Sequence, residues 1–257
     1  MEIKILNQKD YYPNHEHLES DLLIKQQRMA ALLSADSVQR DILKHAVGHD
    51  NKDFYERLKP EAYCPLKVKI GGNKDGGKVA CNPKAVKEDC TLISLGLNNQ
   101  VEYDAEIYNI TGRKCAVIAV DKDFQDSKTQ NIFLAMSGKL YYGKIPDNLT
   151  ISYLMEQQYK KEVEILKMDI EGGEHTGLEP FLQKYYVCQI LVEIHGWPPE
   201  HLDMLQKISR YGFRIYNIAP NAECPKCAEY SFINELCMTQ FGVSPLANFI
   251  PRNLSVT

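Results

Sequence analysis

The chain has 257 residues, 44% hydrophobic and 25% charged, a composition that suits one large globular α/β domain or one such domain with an extension. Its 30 basic and 34 acidic residues give a formal net charge of −4, without the basic surplus or cluster expected of a nucleic-acid binder. No apolar run approaches the ~18 residues needed to span a membrane, and the first twenty residues lack the apolar core of a signal peptide.

Residues 16 to 60 read as helices. Leu18, Leu22, Leu23, Met29, Leu32 and Leu33 recur near helical spacing, and Ser34 or Asp36 offers a cap before a second apolar face. Pro60 closes this segment, so the expected organisation is a helical N-terminal extension over 1–60 and a main domain over 61–257. The extension is expected to cover a crevice as a lid or to form a homodimer. In "YCPLKVKIGGNKDGGKVACNP" paired glycines bracket Asn73, Lys74 and Asp75, which predicts a hairpin or wide loop between two short strands.

From residue 91 apolar strand cores alternate with helices. Strands are expected at 91–97, 115–121, 139–145, 163–170 and 188–194. Helices are expected over "NQVEYDAEIYNIT", "ISYLMEQQYKK", "GLEPFLQKY" and "PPEHLDMLQKISRYG". Two last strands, 213–219 and 229–236, have no long helix between them. The pattern predicts a doubly wound, mostly parallel seven-stranded α/β sheet covered on both faces, with an antiparallel hairpin at its edge.

In such sheets ligands bind outside the carboxyl ends of the strands. The first strand ends in "LGLNNQ", where Gly96 permits close backbone approach and Asn98 and Asn99 tolerate left-handed conformations. The second ends in Asp121, 25 residues after Gly96 in the sequence, where an acidic residue accepts from ribose hydroxyls; a helix cap is the alternative. The fourth strand empties into "MDIEGGEH", with Asp169, Glu171, a glycine pair and Glu174 as a cap for the next helix. The fifth ends in Glu193 and His195, two apart and so on one face. His195 is the first choice for a general base toward a hydroxyl, titrating near neutrality; Asp169 or Glu193 is the runner-up. No metal-ligand spacing is evident.

The eight cysteines, Cys64, Cys81, Cys90, Cys115, Cys188, Cys224, Cys227 and Cys237, allow no pairing to be fixed from sequence. Cys224 and Cys227 are half of a zinc site that Cys237 and a histidine would complete, or part of a disulfide, or free thiols. Sequons at Asn109, Asn148 and Asn253 suit a secretory lumen; the alternative compartment is the cytosol.

"ILKMDIEGGE" followed by "ILVEIHG", with "ISLGLNNQVEYDAEI" and "VIAVDKD" upstream, resembles the FkbM-like S-adenosylmethionine-dependent methyltransferases. More narrowly, with "KIGGNKDGGKVAC", it resembles the animal methyltransferase-like protein twenty-four group. The resemblance spans about residues 60 to 240. It implies S-adenosyl-L-methionine as cofactor, held by Gly96, Leu97, Asn98, Asp121, Lys122, Asp169 and Glu171. It also implies O-methylation of a sugar or small-molecule hydroxyl, with His195, Asp169 and Glu193 as the catalytic candidates. Two other functions compete: a methyltransferase-like module without turnover, and a nicotinamide oxidoreductase. The latter's G-x-G-x-x-G is not met, because "LGLNNQ" lacks the second and third glycines.

Overall fold

The computed structural model describes residues 15–72 and 77–252, with side chains from residue 21. Asn73, Lys74 and Asp75 and the Asn253 sequon lie outside the described residues.

Helix α1, His15–His45, is continuous. Its C-terminal part buries Val38 and Ile42, whereas Leu22, Leu23, Met29, Leu32 and Leu33 are exposed. Helix α2, Asn51–Arg57, starts where the Asp50 carboxylate accepts from the Asp53 N–H at 3.0 Å, a side-chain cap for an otherwise unpaired amide. Phe54, Tyr55 and Leu58 join Val38, Ile42 and Ala46 in the same core as the central sheet. The segment before residue 60 is therefore built into the domain from Val38 onward.

Two short strands follow β1 (Ala62–Tyr63): β2 (Lys67–Ile70) and β3 (Lys78–Cys81), which form the expected antiparallel hairpin. Then come β4 (Thr91–Leu95), α3 (Glu102–Ile110), β5 (Ala116–Asp121), α4 (Ser127–Ala135), β6 (Lys139–Tyr142), α5 (Ile151–Gln157) and β7 (Glu162–Met168). The chain continues through α6 (Glu174–Leu182), β8 (Tyr186–His195), α7 (Pro198–Arg210), β9 (Phe213–Pro220), β10 (Cys227–Asn234), α8 (Met238–Phe241) and β11 (Ser244–Pro245). β11 pairs with β1.

The seven-stranded sheet has the order β6-β5-β4-β7-β8-β10-β9. β4 to β8 pair in parallel, and β10 runs antiparallel to both β8 and β9. The final hairpin thus lies at the edge as expected, and its last strand is inserted on the inner side. Consecutive residues go to opposite faces. Ile118, Leu166, Ile190 and Phe232 pack with α5, α6 and α7, while Val117, Ile165, Leu191 and Ile233 pack with α3, α4 and the β2–β3 hairpin. That alternation explains why the strands read as unbroken apolar runs.

Helix α4 has no counterpart in the sequence expectations. Its segment is polar until Ile132, so no apolar stripe announces it. The helix forms because Asp126 accepts from the Thr129 N–H at 2.7 Å and because Thr129 and Phe133, one turn apart, are buried.

The hairpin is fixed across one face of the sheet by buried polar side chains. The Tyr216 and Ser231 hydroxyls donate to the Val79 carbonyl at 3.0 and 2.8 Å, and the Gln189 amide exchanges two bonds with the Cys81 backbone. These side chains satisfy backbone groups of β3 that no strand pairs. All eight cysteines are paired, as Cys64–Cys81, Cys90–Cys115, Cys188–Cys237 and Cys224–Cys227. Cys224 and Cys227 bond to each other and Cys237 to Cys188, so neither zinc ligation nor free thiols describes them.

Candidate active site

Strand order reverses between β4 and β7, and a cavity of about 470 Å³ opens at their carboxyl ends. That volume lies in the ~300–1,000 Å³ range of small-molecule and cofactor sites. Gly96, Leu97, Asn98, Asp121, Lys122, Asp169, Glu171, Glu193 and His195 all line it. No described residue of α1 or α2 does. The Asn51 amide of α2 donates to the Gly196 carbonyl at 2.9 Å, and the Tyr55 hydroxyl lies 3.0 Å from His201 Nε2. Helix α2 thus packs against the residues that follow β8.

The loop after β4 is drawn tight against the ends of β5 and β7. Gly96 has φ +81°, and a Cβ there would stand 1.7 Å from the Asp169 carbonyl oxygen, so no other residue fits. Asn98 and Asn99 are left-handed, with φ of 48° and 56°. The Asp121 carboxylate accepts from the Leu97 and Asn98 N–H groups at 2.7 and 2.8 Å and from the Asp123 N–H at 2.8 Å. An ionised carboxylate offers about four acceptor positions, so Asp121 organises the loop and keeps capacity for a further donor. The buried Gln125 accepts from the Asn99 N–H at 2.7 Å. Lys167, buried in β7, donates to the Gly96 and Leu95 carbonyls.

β7 ends at Met168, so Asp169 and Glu171 are placed by the turn and not by strand alternation. Glu171 is left-handed at φ +56°, a conformation that non-glycine residues hold only where surrounding structure demands it. Gly173 starts α6 against the Ile145 carbonyl, which a Cβ would approach to 2.5 Å.

Glu174 is fully buried and is not the cap of α6: it is the helix's first residue, the N-cap is Gly173, and no side chain caps it. Its Oε1 accepts from the His195 N–H at 3.0 Å and lies 3.0 Å from His195 Nδ1, and its Oε2 accepts from the Gly172 N–H at 3.0 Å. Glu171 Oε2 lies 3.5 Å from His195 Nε2. Burial alone would lower the pKa of the ring. The hydrogen bond and charge of Glu174, with Glu193 and Asp169 adding to them, raise it to about 9. His195 is therefore a cation at neutral pH, not the group titrating near neutrality that its position in the sequence suggests.

Beside it stands a second cluster. The ammonium of Lys78, whose side chain is 1% exposed, lies 3.1 Å from Asp169 Oδ2 and 4.0 Å from Glu193 Oε2 and forms an ion pair with Glu229. The acceptor oxygens of these three carboxylates lie within 4.8 Å of one another, and the cation among them is this lysine. Burial raises Glu193, the negative charge of Asp169 adds to that, and its carboxyl reaches about 7; the Asn221 amide donates to it at 2.9 Å. Asp169 is held below the usual carboxylate range: burial opposes this, but Lys78 and Lys167 outweigh it. In the buried pair Lys78–Glu229, burial still lifts Glu229 against the pull of the ammonium. Lys78, Lys167, Glu229, Asn221 and Gln125 were not among the candidates from sequence.

Residues 41–215 match the sequence profile of the Methyltransferase FkbM domain. No curated protein matches the chain. Among solved structures, the chain is similar to precorrin-6y C5,15-methyltransferase from Geobacter metallireducens GS-15, with 6% identity, 60% of this chain and 84% of that one covered, and a TM-score of 0.40. It is also similar to M. capricolum TrmK in complex with S-adenosyl-homocysteine, with 13% identity, 60% and 65% coverage and a TM-score of 0.36. A third is Streptococcus pneumoniae Sp1610, with 14% identity, 59% and 67% coverage and a TM-score of 0.41.

Sheet order, the cavity at the strand reversal and the family match over most of the chain define a methyltransferase of the Rossmann-like class. The chain belongs to the FkbM methyltransferase domain family, whose methyl donor is S-adenosyl-L-methionine. The residues present fit that cofactor. The Gly96 backbone is free of a side chain at the crevice floor, Asp121 retains acceptor capacity at the end of β5, and carboxylates crowd the end of β7.

Proposed function

We propose that this chain transfers a methyl group to a hydroxyl of a sugar or other small molecule. Gly96, Leu97, Asn98, Asp121, Lys122, Asp169 and Glu171 would hold the cofactor, which supplies an electrophilic methyl when bound. The observation that carries the reading is Glu193. It projects from the end of β8 into the cavity, is 4% exposed, and has a carboxyl poised near neutrality. A hydroxyl acceptor must lose its proton, and a base whose pKa lies near the working pH serves best. His195, charged and oriented by Glu174 on the same strand face, would stabilise the oxygen as negative charge develops. Holding the acceptor in this geometry supplies the larger share of catalysis, up to ~7–11 kcal/mol for a well-aligned pair.

The expected glycan or small-molecule acceptor is consistent with the size of the cavity. The narrower likeness to the animal methyltransferase-like protein twenty-four group rests on its quoted sequence segments. The exposed leucines of α1 are the surface we assign to self-association. Among the described residues, no helix is long and apolar enough to cross a membrane.

Calorimetric titration with S-adenosylmethionine and with NADH tests the assignment. Binding of the first alone is the expected result. Binding of NADH would favour an oxidoreductase, and binding of neither a module without turnover. Screening hydroxyl compounds with labelled cofactor then identifies the acceptor.

A further inference from the structure

The Lys78 cluster is assembled from four strands. Asp169 follows β7, Glu193 is on β8, Glu229 is on β10, and the lysine comes from β3 of the hairpin laid across the sheet. A solvated ion pair contributes little. Here an ammonium 1% exposed is enclosed by three acids, and burying it unpaired would cost several kcal/mol.

Position within the cluster is unequal. Lys78 Nζ contacts Glu229 and Asp169 directly, but Glu193 Oε2 is 4.0 Å away. Three carboxylates this close repel one another; Lys78 and Lys167 both pull on Asp169 and Glu229, and Glu193, the acid furthest from Lys78, retains its proton longest. We infer that Lys78 selects the catalytic base. By contacting Asp169 and Glu229 it reserves them as fixed partners and leaves Glu193 to exchange a proton with the acceptor. Lys78 is thus a positioning residue, acting on Glu193 through charge without reaching the acceptor. The inference rests on the reading of Glu193 as base.

The other groups that face Glu193 are His195 on its own strand, Tyr55 of α2, and the Asn221 amide from the turn between β9 and β10. Tyr55 is neutral over the working range, its hydroxyl being pushed up to about 12, chiefly by burial. His195 keeps its charge to about pH 9. Through neutrality, then, the charges that bear on Glu193 are Lys78, Asp169, Glu229 and a constant contribution from His195.

The test is a carbon-13 NMR titration of the full chain labelled at glutamate side-chain carboxyls, with the Glu193 signal identified by its loss in Glu193→Gln. In the wild type it should titrate near 7. Lys78→Met removes the counter-charge and should raise that midpoint by ~1–3 pH units. Glu229→Gln removes a repelling acid and frees the ammonium, so the midpoint should fall. Opposite shifts are not what a merely structural lysine would give. If Lys78→Met does not fold, Glu229→Gln decides alone, and an unchanged midpoint overturns the inference. A wild-type midpoint near 7 that Lys78→Met leaves in place, or two shifts of the same sign, overturns the role of Lys78 while sparing Glu193 as base. A wild-type midpoint in the ordinary carboxylate range overturns the base assignment, and the selection with it.

Discussion

Glu174 Oε1 lies 3.0 Å from His195 Nδ1, with the carboxylate fully buried and its other oxygen taken by the Gly172 N–H. The pair couples the start of α6 to the end of β8 and turns a histidine at the mouth of the cavity into a stable cation. Charges accumulate after β7 because each acid meets a basic group there, Lys78 or one of the two nitrogens of His195. Asp169 meets Lys78, Glu171 faces His195 Nε2, and Glu174 holds His195 Nδ1.

The ring of His195 should titrate near 9 by NMR. Glu174→Gln should bring it down toward the unperturbed value of ~6.5. The folded-state pKa is the raised one. The pair's contribution to stability is therefore full below about pH 6.5 and is lost as pH rises through about 9. In the variant, that alkaline loss of stability should disappear from denaturation curves.

Asp121 pins the loop after β4, which we propose holds the cofactor. Asp121→Asn keeps the shape and removes the charge that three backbone N–H groups share. Hydrogen bonds to a charged group are worth ~1.5–3 kcal/mol, so affinity for S-adenosylmethionine should drop roughly ten- to hundredfold. Calorimetric titration would show it. Full affinity in the folded variant would mean that neither the loop nor the ribose depends on Asp121.

Much of this arrangement was legible in the sequence, for identifiable reasons. Strands buried on both faces leave unbroken apolar runs, so β4, β5, β7 and β8 were visible, and the residues at their ends were singled out because ligands of such sheets bind outside the carboxyl ends. Glu193 and His195 followed from strand alternation. Lys78 did not, since its partners Asp169 and Glu229 lie 91 and 151 residues away and the hairpin's placement depends on Gln189, Tyr216 and Ser231. Glu174 could be read as a helix cap, because its contact with His195 is tertiary. A signal for Lys167 was present: a charge inside "ILKMDI" must have a buried partner, here the Gly96 carbonyl.

Gly96→Ala should be damaging well beyond an ordinary glycine substitution. The new methyl would meet the Asp169 carbonyl at 1.7 Å while the backbone holds φ +81°. A loss of more than ~1 kcal/mol in stability is expected, together with loss of cofactor binding. Thermal denaturation and calorimetry would measure both, and a variant that binds normally would refute the tight contact between the β4 and β7 ends.

Alkylation of unreduced protein purified from its source, followed by mass spectrometry, should find no free thiol, since all eight cysteines are paired. Removing Cys188–Cys237, which closes a separation of 49 residues, should cost ~4 kcal/mol by loop-closure entropy. Eight alkylated thiols would refute the pairing and point to a reducing compartment.

The most direct measurement is methyl transfer from labelled S-adenosylmethionine to an acceptor found by screening, followed from pH 5 to 10 in the wild type and Glu193→Gln. The wild-type rate should rise through a pKa near 7 as Glu193 loses its proton and fall near 9 as His195 loses its charge. Glu193→Gln should lower turnover by ~10²–10⁴, the usual contribution of a general base, remove the limb near 7 and leave cofactor affinity unchanged. A variant that retains wild-type turnover and the same rising limb would contradict Glu193 as the base.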